Sequence, residues 1–158
     1  MRQFTSIIVC GLLFFLAGVL QFSAMPRIDI WGAHPDLLLV VAYSLAVLVR
    51  PGQGALAGFV SGMLIGGISG ATLTHYILSR TVVGYALGMT SQMEPGIRAA
   101  AGLVAAGTLV GQLILMFLAP PSGIGVFLKV TILEALLNGA IAIPVFALLR
   151  RVVRPKVV

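Results

Sequence analysis

Carboxylates are few in this chain. Asp29, Asp36, Glu94 and Glu134 are its only acids, and they are spread over four segments, so no pair is placed for general acid and base work. Cys10 is the single cysteine and lies inside the first apolar run, which excludes an internal disulfide and a cysteine metal cluster. His34 and His75 have neither the spacing of a zinc-binding helix nor a cysteine partner. No Gly-Lys-Ser or Gly-Lys-Thr follows the glycines, which removes the phosphate loop, and the serines have no base and orienting acid nearby in sequence. An enzyme is not expected, and neither is a metal or another cofactor.

Charge of both signs is also scarce. Charged residues make up 9% of the chain against 59% hydrophobic ones, and the mean hydropathy is +1.13. A soluble domain carries roughly 25% charged residues because its surface faces water. At about 20 residues per crossing and about 6 per connection, the chain accommodates roughly six transmembrane helices and no soluble catalytic domain. The net charge of +6 would raise the question of nucleic acid in a soluble protein, but here most of it sits at helix ends and reads as topology. No nucleic-acid partner is expected.

The expected fold class is all-α: a polytopic membrane protein in which residues 1–158 form one integral membrane domain. Its helices are placed at about 4–24, 37–49, 53–78, 81–93, 99–119 and 126–149. The first uncharged run, after Arg2, exceeds the h-region of about 15 residues in a secretory signal, and Phe22 spoils the small-x-small pattern before Ala24, so it reads as a retained helix. A polar connection with Trp31, His34 and Pro35 follows, and Trp31 suits a membrane–water interface. The uncharged stretch from Gly54 to Ser79 is too long for one regular helix, and Gly66, Gly67 and Gly70 are candidates to break or bend it. Six crossings put both termini on one side. Arg2, Arg50, Arg98, Arg150, Arg151, Arg154 and Lys156 then face the cytoplasm against Arg27, Arg80 and Lys129 outside, in keeping with the positive-inside rule.

Two features stand out as candidate sites. Gly54, Gly58, Gly62, Gly66 and Gly70 recur every four residues, a stripe that drifts about 40° per step and permits close backbone approach. Weaker versions are Ala42 with Ala46, Gly84 with Gly88, and Gly107 with Gly111. The stripe packs within the chain or, at Gly54, Gly58 and Gly62, receives a helix from another chain. The second feature is a set of polar groups expected at the outer ends of the helices. Asp36 stands where a helix N-cap would sit, Glu134 is about 24 Å before Arg150 along a helix, and Asn138 is one turn further on. With His75 they are expected to line an outward-facing polar pocket, with a hydrogen-bond donor close to Glu134.

In their order along the chain, several segments resemble the rod-shape-determining membrane protein family MreD. They are His34-Pro35-Asp36-Leu37-Leu38-Leu39-Val40-Val41, the turn Arg50-Pro51-Gly52, residues 54–64, Val83-Gly84-Tyr85-Ala86-Leu87-Gly88, and residues 136–146 followed by Arg150-Arg151. Two positions depart from that pattern: Gly66 stands where the family often has aspartate, and Leu73-Thr74 where Leu-Gly is usual, so the aspartate's role does not transfer. The resemblance implies a non-enzymatic scaffold of the bacterial cell-elongation complex, in the cytoplasmic membrane, that binds the bitopic protein MreC. It implies action with MreB and with a RodA-type polymerase and its transpeptidase in peptidoglycan synthesis, contact with membrane lipid, and room for a homodimer within a larger complex. It further implies a six-helix bundle similar to the substrate-binding subunits of energy-coupling-factor transporters.

That similarity supplies an alternative from another class, a vitamin-binding transporter subunit. Such subunits dock their coupling protein through small residues four apart on the first helix, whereas Gly11, Ala17 and Gly18 are not four apart. A proton-coupled carrier would need an ionisable relay at the membrane midplane, and Glu134 alone is too far out.

Overall fold

In a computed structural model, residues 2–68 and 72–153 are described, with side chains from residue 8 onward. Gly70, Arg154 and Lys156 lie outside the described residues. The architecture is all-helical: α1 (Arg2–Ser23), α2 (Leu37–Ala46), α3 (Pro51–Ile68), α4 (Leu73–Met89), α5 (Ile97–Leu118) and α6 (Ile124–Val152). Three stretches, Ile8–Arg27, Ile97–Leu118 and Ile124–Val152, are long and apolar enough to cross a membrane. The exterior suits lipid, with Phe15 68%, Phe117 80% and Val126 71% exposed.

The bundle is organised around its shortest helix. α2 touches each of the other five, and Leu38, Val40, Ala42, Tyr43, Ser44 and Ala46 are all fully buried. Asp36 starts α2 by accepting the Leu39 N–H at 2.9 Å, so the N-cap reading of this residue holds. The helix ends at Ala46 and not at 49: Val47–Val49 form a turn, and Pro51, whose ring disfavours helical geometry in the residue before it, begins α3. α1 lies on α2 through Leu13, Phe14 and Ala17, leaving Leu12, Phe15, Leu16 and Val19 outward.

The third and fourth helices differ most from the expected bounds. α3 stops at Ile68 and not at 78, just past Gly66 and Gly67, and α4 runs from Leu73 to Met89 and not from 81 to 93. Arg80 reads as a helix boundary in the sequence because a charge within a membrane helix is costly, yet it sits in the middle of α4 and is 3% exposed. Beyond Met89 the chain tightens into a 3-10 turn, Thr90–Met93, where the Thr90 and Ser91 hydroxyls donate to the Leu87 and Gly88 carbonyls.

The glycine stripe is an internal seam between α3 and α4. A β-carbon on Gly54 would overlap the Gly84 carbonyl, one on Gly58 the Arg80 carbonyl, and one on Gly62 would lie 2.6 Å from the Tyr76 carbonyl oxygen. Gly84 faces Gly54 in return, and a β-carbon on Gly88 would meet the Pro51 backbone. The expectation that Gly54, Gly58 and Gly62 receive a partner helix is therefore corrected. That surface is already filled by the chain's own α4, because lipid gives apolar helices no drive to associate and close contact between small residues supplies it instead. The paired glycines 84 and 88, the weaker signal in the sequence, are the other half of the seam.

Candidate functional site

At the Asp36 end of the bundle, buried polar groups tie all six helices together. The Asp36 carboxylate holds the Leu39 N–H with one oxygen and the Arg80 guanidinium with the other. Arg80 also donates to the Ser61 hydroxyl on α3 at 2.6 Å, and its face lies over the Tyr76 ring, 5.7 Å from the centroid. The Asp36 N–H donates to the Asn138 side-chain oxygen on α6 at 2.8 Å, while the Asn138 amide donates to Thr108 on α5 at 3.4 Å. From α1, the Gln21 side-chain oxygen accepts the Leu37 N–H at 2.7 Å, which supplies a second of the N–H groups left free at the start of α2.

This network satisfies its members nearly completely, as burial demands. Asn138, Thr108 and Ser61 are 0% exposed and Asp36 is 7% exposed. An ion pair removed from water is tolerated when the remaining donors and acceptors are matched, as they are here through Ser61, Leu39 and Asn138. Ser79 adds a bond to the Gly111 carbonyl at 2.7 Å, fastening α4 to α5.

Beside the network lies a cleft of roughly 300 Å³ lined by Thr72, His75 and Tyr76 of α4 and its start, Gln112, Leu115 and Ala119 of α5 and its end, and Phe127 of α6. Gln112 joins the cleft to α6 by donating its amide to Glu134 at 2.8 Å, so the donor expected near Glu134 is this side chain.

The four residues expected to line one pocket are thus divided. Asp36 and Asn138 meet directly but belong to the closed network and not to the cleft wall. His75 lines the cleft, and Glu134 reaches it only through Gln112. The single open depression is corrected to a sealed hydrogen-bonded core with a separate cleft alongside, because the cap of α2 and the Arg80 ion pair draw Asp36 inward. Sequence reasoning missed Arg80 as the hub, together with Ser61, Thr108, Gln21 and Gln112. The available signal for Arg80 was a lone cation flanked by long uncharged stretches, with no turn residues beside it.

No group of three His, Cys, Asp or Glu side chains able to hold a metal ion occurs among the described residues. The family model for rod shape-determining protein MreD matches residues 1–152 of the chain. No curated protein and no solved structure matches it.

Proposed function

The chain belongs to the rod shape-determining MreD family, and from that membership we propose that it is a non-enzymatic membrane scaffold that binds the spanning segment of MreC. In this reading it helps organise peptidoglycan synthesis by the cell-elongation complex, alongside MreB, a RodA-type polymerase and its transpeptidase. The observation that supports the reading is the use the fold makes of its rare ionisable groups: Asp36 and Arg80, the one ion pair among the described residues, hold helices together. What remains for function is the membrane-embedded surface.

The same reading takes all six helices as spanning, in one membrane domain similar to the substrate-binding subunits of energy-coupling-factor transporters. α2 has 10 residues, about 15 Å of helix against a hydrocarbon core of about 30 Å. It can still traverse, because irregular backbone is tolerated at membrane depth when protein covers it, and Ala33, Val47 and Leu48 on its flanks are buried. Both termini then lie in the cytoplasm of a bacterial inner membrane. In a Cys10→Ser background, single cysteines at positions 34 and 122 are expected to react with an impermeant maleimide from outside, and one at 156 only from the cytoplasm. Labelling of 34 and 156 from the same face contradicts this topology.

The partner assignment is tested by purifying the tagged chain from native membranes in mild detergent and identifying what accompanies it by mass spectrometry. MreC is expected at a level comparable with the chain itself. A preparation enriched instead in an ATPase pair contradicts the scaffold reading.

A further inference from the structure

We propose that the cleft between α4, α5 and α6 is the docking point for a lysine or arginine side chain carried by the partner's membrane-spanning segment, with Glu134, which stands behind Gln112 of the cleft wall, as its counter-charge. This rests on the scaffold reading above and names the surface that scaffold uses.

Charge complementarity supports this assignment. Among the described residues there is one ion pair, Asp36 with Arg80, and it leaves Glu134 without a cation. Arg80 is committed, since its two terminal nitrogens go to Ser61 and Asp36 and its face to Tyr76. Lys129, the next base along α6, is exposed and stands 6.0 Å from the Trp31 ring centroid. Glu134 has one carboxylate oxygen held by Gln112, and the other has no partner among the described residues. The chain thus gives Glu134 only an amide as a direct hydrogen-bond partner, and a cation brought by another chain would find a carboxylate oxygen open to it.

The cleft has the size and lining for that cation's stem and head. Its volume of roughly 300 Å³ stands at the lower limit of small-molecule pockets and suits one long side chain better than a cofactor. Leu115, Ala119 and Phe127 offer apolar wall to methylenes, while His75, Tyr76 and Gln112 offer hydrogen-bonding groups. An anionic lipid headgroup finds no uncommitted cation on this wall.

The test uses the full chain co-expressed with MreC. A photo-crosslinking residue is placed at Thr72 or Ala119, both exposed on the cleft rim, and at Leu56, 62% exposed on α3, as the control face. Crosslinks to MreC from 72 and 119 but not from 56 are expected. Glu134→Gln, which keeps the shape and removes the charge, is expected to reduce MreC retention about fivefold or more at an unchanged melting temperature. If Glu134→Gln does not fold, the crosslinks formed with Glu134 intact decide the matter. Crosslinks only from 56, crosslinks from the rim to lipid alone, or full retention by folded Glu134→Gln overturn the cleft proposal while leaving the scaffold standing. Failure of the unaltered chain to retain MreC overturns the scaffold reading itself.

Discussion

Gly58→Leu is expected to leave no folded, monodisperse protein, whereas Gly67→Ala on the same helix is expected to be tolerated. The contrast follows from what each position faces. A β-carbon on Gly58 would occupy the space of the Arg80 carbonyl, and that oxygen belongs to backbone that cannot rotate away. Gly67 has nothing within 4 Å of the place its β-carbon would take. Overpacking by a methylene or two already costs about 1–3 kcal/mol where side chains can yield, and a typical domain has only about 5–15 kcal/mol in total. A leucine against backbone goes well beyond the first figure, so α3 and α4 must separate. Alanine at Gly67 instead improves local helix propensity by up to about 1 kcal/mol. Size-exclusion profiles and melting curves in detergent report both outcomes. Folded Gly58→Leu protein that has merely lost MreC would return the stripe to the partner interface and contradict the seam.

Asp36→Asn is expected to destabilise the bundle by about 3–5 kcal/mol although it keeps the helix cap, because it leaves the Arg80 guanidinium buried without a counter-charge. Asparagine is as good an N-cap as aspartate, so the bond to the Leu39 N–H survives and the loss isolates the ion pair. Arg80→Met, which strands the carboxylate instead, is expected to cost a similar amount. The double variant Asp36→Asn, Arg80→Met should lose clearly less than the sum of the two, since neither charge is then unmatched. Unfolding followed by loss of helical signal in mixed micelles measures all three. Additive losses would mean that Asp36 and Arg80 act separately and that the network does not hold the helices as a unit.

Helices were readable wherever charge or proline bounded an apolar run. α5, between the Glu94-Pro95-Gly96 turn and Pro120-Pro121, and α6, ending near Arg150, lie close to where their flanking residues put them. The boundary between α3 and α4 was not readable, because the rule that charges mark helix ends fails at Arg80. Its counter-charge, Asp36, is 44 residues away, and no local pattern ties the two. The glycine periodicity announced close packing without naming the partner, since Gly54 and Gly84 become neighbours only after α3 and α4 fold back on each other. Asp36 as a cap was local chemistry and so was visible. Its bond to Asn138 joins positions 102 apart and was not. The cleft needed Gln112, an uncharged residue inside an apolar helix, whose importance comes only from standing opposite Glu134.

We propose that this chain acts by binding MreC's spanning segment within the membrane. This binding is tested most directly by reconstituting the purified chain with a fluorescently labelled MreC transmembrane peptide in lipid nanodiscs and following energy transfer as the peptide is titrated. Saturable transfer at one peptide per chain, persisting when excess lipid dilutes the pair, is expected. Transfer that rises linearly with peptide and falls in proportion to added lipid would show chance proximity and contradict it.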